Sequence, residues 1–153
     1  MKISTKGRYG LRLMIALLRH YGKGPVSVKH ISEKEKISVD YIEQLFIKLK
    51  KCGLVRSIRG PNGGFLLAKA PSDISIGEIL RCVGESITLT PCILMDKKGC
   101  HNCELCGRCE AQKFFEMATT KLKEMMYSTS LLSLFDLSYE YRKNKRGRYL
   151  REC

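Results

Sequence analysis

Cys92, Cys100, Cys103, Cys106 and Cys109 crowd into the stretch CILMDKKGCHNCELCGRC, and the last four recur at every third residue. Thiolates are soft ligands, and a run of them suits a metal that accepts four sulfurs, either an iron–sulfur cluster or zinc. Structural zinc sites use two separated cysteine pairs. The spacing here, C-x2-C-x2-C-x2-C, opens like a bacterial ferredoxin run, although it ends one residue early and lacks the following proline. A cluster is therefore preferred, with zinc as the alternative. His101 lies in the same loop as a further ligand candidate. Cys52 and Cys82 stand in apolar helical contexts and read as small core residues, and Cys153 reads as a free thiol at a charged terminus. None of these three has a histidine and acid arranged beside it, so catalysis is not expected.

The rest of the chain must hold that loop. Its 153 residues, 44% of them hydrophobic, suffice for one core or for a small domain with an appended dimerisation element. No stretch is apolar for long enough to cross a bilayer, and the start, MKISTKGRYG, has no hydrophobic signal region. The expectation is a cytoplasmic protein with no membrane association, in a compartment where clustered thiols mean metal or redox chemistry rather than a disulfide scaffold. The formal charge is +13 and unevenly spread: residues 1–84 carry 16 Lys and Arg against 6 Asp and Glu, residues 85–153 carry 12 against 9. The first half faces a polyanion. The C-terminal YRKNKRGRYL lacks apolar residues at core spacing and reads as a solvated tail that touches phosphates.

Periodicity supplies the elements. Leu11, Met14, Ile15 and Leu18 recur at helical spacing until YGKGP stops them. Ser27 caps a short second helix with Val28 and Ile31 inward, ending near Ile37. Ser38 caps a third over Val39 to Cys52, in which Ile42, Leu45, Phe46 and Leu49 make a buried stripe. Two short helices joined tightly suggest a helix-turn-helix, and LVRSI, RGPNGG and FLLA after them suggest a hairpin wing with Arg56 and Arg59 near its tip. On that arrangement Ser38, Asp40, Tyr41, Glu43, Gln44 and Lys48 face DNA. Gln44 suits adenine, Glu43 suits cytosine N4, Lys48 suits a phosphate, and Arg56, Arg59 and Gly60 belong to the wing. Ser75 and Glu78 form a capping box for a fourth helix. Beyond the loop, Phe115, Ala118, Leu122, Met125 and Met126 mark one face of a long helix, and Leu131 to Tyr141 a further one. So much apolar helix on so small a domain calls for a second copy, hence a homodimer presenting two recognition helices.

Three runs carry a family resemblance: MKISTKGRYGLRLMIALL, ISVDYIEQLFIKLKKCGLVRSIRGPNGGFLLAK, and the cysteine loop with its long helix. They are similar to the Rrf-two family of winged-helix regulators, which includes the iron–sulfur regulator IscR, the nitric-oxide sensor NsrR and the cysteine-metabolism regulator CymR. The resemblance spans nearly the whole chain and implies a homodimer that binds double-stranded promoter DNA. Cluster-binding members use three cysteines. The family spacing favours Cys92, Cys103 and Cys109; Cys92, Cys100 and Cys106 form a rival register, and a four-iron cluster on four cysteines is a third possibility. The family's histidine ligand is replaced by Gln112, and an aspartate ligand from the first helix by Arg8.

The resulting expectation is a mostly α fold with a small β-hairpin wing: a winged helix-turn-helix over residues 1–84, a cluster loop over 85–109, dimerisation helices over 110–141 and a basic tail over 142–153. Its function would be transcriptional regulation, by repression, through an iron–sulfur cluster responsive to iron–sulfur status, redox or nitric oxide. The alternatives are a zinc-stabilised or partner-controlled regulator of cysteine and sulfur metabolism, and, in another class, a ferredoxin-like electron carrier.

Overall fold

In the computed structural model, residues 3–93, 95, 96, 99, 100, 103, 105 and 107–134 are described, the four at 95, 96, 99 and 100 as backbone only. Serines open the first four α-helices. Ser4 precedes α1 (Thr5–Leu18) and accepts from the Gly7 N–H at 3.3 Å; Ser27 precedes α2 (Val28–Glu35) and accepts from the His30 N–H at 3.2 Å. Each satisfies an amide that the first helical turn leaves without a partner. Ser38 stands at the N-cap of α3 (Val39–Lys51) with extended backbone, and its side chain makes no capping bond. The second helix stops two residues short of Ile37 because Lys36 adopts a left-handed conformation, φ 54°.

The core gathers the predicted stripe. Ile42, Leu45, Phe46 and Leu49 of α3 are buried together with Leu13, Met14 and Leu17 of α1 and Ile31 of α2. The first helix buries a face slightly rotated from the expected one, since Leu11 and Ile15 are only partly covered. Arg12 of α1 and Arg19 at its C-cap converge on the Glu35 carboxylate, at 2.9 and 3.4 Å, and tie the first helix to the end of the second.

The hairpin comes next in the chain. Strand β1 (Val55–Ile58) pairs antiparallel with β2 (Gly64–Leu67). Val26 joins as a third short partner, exchanging both backbone hydrogen bonds with Phe65 at 2.9 Å. Gly64 permits that approach, because a Cβ there would overlap the Val26 carbonyl. The Phe65 ring stacks on Phe46, centroids 4.3 Å apart, and Lys50 donates to the Ser57 hydroxyl at 2.7 Å. The hairpin is thus fastened to α3 by an apolar stack and a polar bond.

Helix α4 (Ile76–Cys82) begins with the expected capping box: the Ser75 hydroxyl accepts from the Glu78 N–H at 3.2 Å while the Glu78 carboxylate accepts from the Ser75 N–H at 3.0 Å. That backbone donor is the main cause holding the Glu78 carboxyl below its ordinary 4.5, against a smaller opposing effect of burial. Cys82, at the end of this helix, is bonded to Cys52 at the C-cap of α3, with Cα atoms 6.1 Å apart. Both were expected to be core thiols; instead Cys52 is exposed and the two are paired, because the ends of α3 and α4 converge.

A small hairpin, β3 (Met95–Asp96) with β4 (Gly99–Cys100), lies in the cysteine loop ahead of α5 (Glu110–Ser128). This last helix packs on α4, where the Tyr127 ring covers Gly77 so closely that a Cβ there would meet it at 2.6 Å. Phe115, Ala118, Leu122 and Met126 are partly covered, as the stripe predicts, whereas Met125 is exposed. The chain then doubles back: the Ile76 N–H donates to the Thr129 carbonyl at 3.0 Å, the Leu131 N–H to Ile74 at 2.7 Å, and Leu131 is fully buried in the core. Leu131 and Leu132 form a turn, and the chain is helical again at 133 and 134; most of the helix expected to Tyr141, like Cys106, His101, the basic tail and Cys153, lies outside the described residues.

Candidate nucleic-acid interface and cysteine centre

Burying one stripe of α3 leaves another outward. Ser38, Asp40, Glu43, Gln44 and Lys48 are exposed. Between the last two stands Ile47, 54% exposed, which residue type alone would have assigned to the core. Its position falls outside the 42, 45, 46, 49 stripe, and that spacing was the signal available to find it. Tyr41 is different: it is half-buried, packs against the core and sets its ring edge-on to Tyr9 at 5.9 Å. The row Glu43, Gln44, Ile47 and Lys48 combines an acceptor, a bidentate amide, an apolar side chain of the kind that meets a thymine methyl, and a cation.

The wing places its arginines at two levels. Arg59 and Gly60 lie in the exposed turn beyond Ile58, where the sequence put them, with Gly60 at φ 116°. Arg56 is not near the tip. It sits inside β1 opposite Leu66 and lines a cleft with His20, Tyr21 and Lys69, because the strand pair extends two residues past it. Arg56 and Arg59 therefore stand at different levels of the hairpin, one within the strand and one in the turn.

The cysteine loop is organised by an amide. Gln112, buried in the first turns of α5, donates from Nε2 to the Cys92 carbonyl at 3.1 Å and accepts from the Gly107 N–H at 3.1 Å. One side chain thereby draws both ends of the loop onto the start of α5, where Cys109 is the N-cap. Cys92, half-buried, also shares a hydrogen bond with the Thr90 hydroxyl at 3.0 Å, and the Leu89 N–H donates to buried Thr119 at 3.3 Å. Cys92, Cys103 and Cys109 are outside any disulfide, with Cys103 exposed. Among the described residues no three His, Cys, Asp or Glu side chains gather closely enough to hold a metal; the Cys100 side chain and Cys106 are not among those described. The donor chemistry still suits a thiolate-held group, and Gln112, at the position where the resemblance implies a histidine, has its amide occupied in bracing the loop.

The family model for Rrf2, described as an iron-dependent transcriptional regulator, matches residues 3–137. The chain belongs to the Rrf2 family. Among curated Rrf2-type relatives, the transcriptional regulator IscR of Erwinia tasmaniensis is 44% identical over 106 residues, which is 69% of this chain and 63% of that protein. IscR of Sodalis glossinidius is 37% identical over 134 residues, 88% of this chain and 78% of that one. The chain thus spans under two thirds of the length of the former. Of solved structures, the global cysteine regulator CymR of B. subtilis superposes with a TM-score of 0.72 at 36% identity, covering 88% of this chain and 95% of that one. IscR of T. potens gives 0.70 at 33%, covering 92% and 90%. These relatives are transcriptional regulators, not enzymes, and their mostly helical winged-helix fold is the one described above. No described helix is long and apolar enough to cross a membrane.

Proposed function

We propose that this chain is a DNA-binding transcriptional repressor of the cytoplasm, acting as a homodimer, whose choice of operator depends on an iron–sulfur cluster held by its cysteine loop. One observation carries the reading: a stripe-buried α3 exposes Glu43, Gln44, Ile47 and Lys48 beside a wing that ends in Arg59 and Gly60. That geometry serves a helix in the major groove with a hairpin against the neighbouring backbone. Residues 1–84 form the reading domain, 85–109 the cluster loop, and 110–141, beginning with α5, the dimerisation region. The exposed side chains of Phe114, Met117 and Met125 on α5 support the last assignment, since a second copy would cover them.

Cys92, Cys103 and Cys109 would hold the cluster, with Cys100 and Cys106 as the rival or additional ligands. A bound cluster supplies a redox-labile charge at this loop. The protein does the rest. Gln112 keeps Cys92 beside the start of α5, and the N-terminus of that helix favours negative charge near Cys109. Helix α5 contacts α4 through Tyr127 and Gly77, and α4 contacts α3, so a change in the loop reaches the recognition helix through packed elements.

The likeness to the global cysteine regulator CymR favours a second reading, a zinc-stabilised or partner-controlled regulator of cysteine and sulfur metabolism. The test is anaerobic purification with iron, sulfide and zinc analysis, and then selection of binding sites from random duplexes. Iron with matching sulfide and one selected motif support the first reading; zinc or no metal with a selected motif supports the second; no selected motif contradicts both.

A further inference from the structure

We propose that Cys52 and Cys82 are a redox-modifiable pair, separate from the cysteine loop, whose oxidation clamps the recognition helix to α4. Cys52 is the C-cap of α3 and Cys82 the last residue of α4, and their Cα atoms lie 6.1 Å apart with the sulfurs bonded. That separation lies within the range a disulfide bridges without moving backbone. The two are 30 positions apart in the chain with the entire wing between them, so the bond closes a loop around β1 and β2 and joins the ends of α3 and α4.

The two sulfurs differ in access. Cys52 is exposed and Cys82 half-buried, which casts Cys52 as the attacking thiol and Cys82 as the resolving one. With hydrogen peroxide, the Cys52 thiolate attacks one oxygen, the O–O bond breaks, and hydroxide leaves and is protonated to water, giving a sulfenic acid. The Cys82 thiolate then attacks that sulfur, the S–O bond breaks, and a second hydroxide leaves as water. Two thiols lose two electrons and two protons in total, and one peroxide becomes two waters. A dithiol reductant reverses the bond by exchange. In a compartment that keeps thiols reduced, the pair rests as two thiols and the bridge records oxidant.

The clamp leaves the buried stripe of α3 where it is. Ile42, Leu45, Phe46 and Leu49 are packed in the bridged structure, so oxidation restrains the helix end without withdrawing the helix from DNA. Its direct signature is therefore resistance to unfolding, from a loop closed in the unfolded chain.

The experiment uses the full chain, reduced anaerobically, freed of reductant, treated with hydrogen peroxide, alkylated and digested without reduction. A linked peptide joining Cys52 to Cys82, removed by dithiothreitol, is expected. So is a rise in melting temperature of about 5 °C or more on oxidation. Cys52→Ser and Cys82→Ser should each melt where the reduced parent does, showing that they fold, and should lose the oxidative rise. Recovery of both cysteines as alkylated thiols, or linked only to cysteines of the loop, would overturn the pairing; a linked peptide with unchanged melting would overturn the clamp. None of these readouts uses DNA or iron, so failure here is distinct from failure of the regulatory reading.

Discussion

Glu43 and Gln44 are adjacent exposed residues on α3, and the proposed function divides base recognition between them by chemistry. Gln44→Ala should flatten preference at an adenine while leaving affinity for random duplex nearly unchanged. Arg59→Ala, at the wing tip, should weaken binding to every duplex and lower the magnitude of the log-log salt slope by roughly 0.9. Isotherms across salt and site variants separate the two; unchanged affinity for Arg59→Ala would remove the wing from the interface. At the other centre, Cys92→Ala and Cys109→Ala should each abolish visible absorption of anaerobically purified protein, whereas loss of Cys100 or Cys106 alone should be tolerated. A colourless Cys106→Ala beside a coloured Cys109→Ala would select the rival register. Residues such as Glu43 and Lys48 were legible because helical period assigns a face. Ile47 was legible by the same period, but its apolar type hid it among core candidates, and the Cys52–Cys82 pair was not legible, since sequence spacing says nothing about two helix ends meeting.

Helices were legible at their starts, where Ser27 and Ser75 supply the missing acceptors, and less so at their ends. The end of α2 depends on Lys36 turning left-handed, a conformation that no glycine announced. The capping box of α4 carries a prediction of its own. Removing the Ser75 hydroxyl by Ser75→Ala should cost about 1 kcal/mol of stability, measured by urea unfolding. Because the folded protein holds the Glu78 carboxyl below 4.5, the carboxylate contributes stability in full above that pH and loses it as pH falls through the lower folded value. Glu78→Gln should therefore flatten the acid limb of melting temperature against pH below about 4.5. An acid limb as steep as the parent's would mean the carboxylate is not what acid removes. The wing was legible as a hairpin from its turn residues, but its third partner at Val26 and the Phe46–Phe65 stack are tertiary and left no local trace.

Across the whole molecule, α5 links the loop at one end to the core at the other, where Leu131 is buried. Its outer face, with Phe114 and Met117 each 58% exposed, is the proposed seam between two copies. Met117→Lys should shift the protein to monomer in sedimentation and weaken operator binding at least about tenfold, because half-sites would then be engaged singly. A dimer that survives would place the seam elsewhere. Helical apolar excess in the sequence is the ground for expecting a second copy, while the contacts of Gln112 with Cys92 and of Tyr127 with Gly77 were visible only in the fold. The central claim is that the cysteine loop controls DNA choice. Its most direct test is paired anaerobic binding of cluster-loaded and cluster-free protein to one selected operator, alongside Glu43→Ala, which removes the carboxylate proposed to disfavour sites lacking the right base. The expected result is an affinity difference of at least about tenfold, roughly 1.4 kcal/mol of coupling, which Glu43→Ala narrows by strengthening the cluster-free form. Equal affinity of the loaded and cluster-free proteins for that operator would contradict control by the loop.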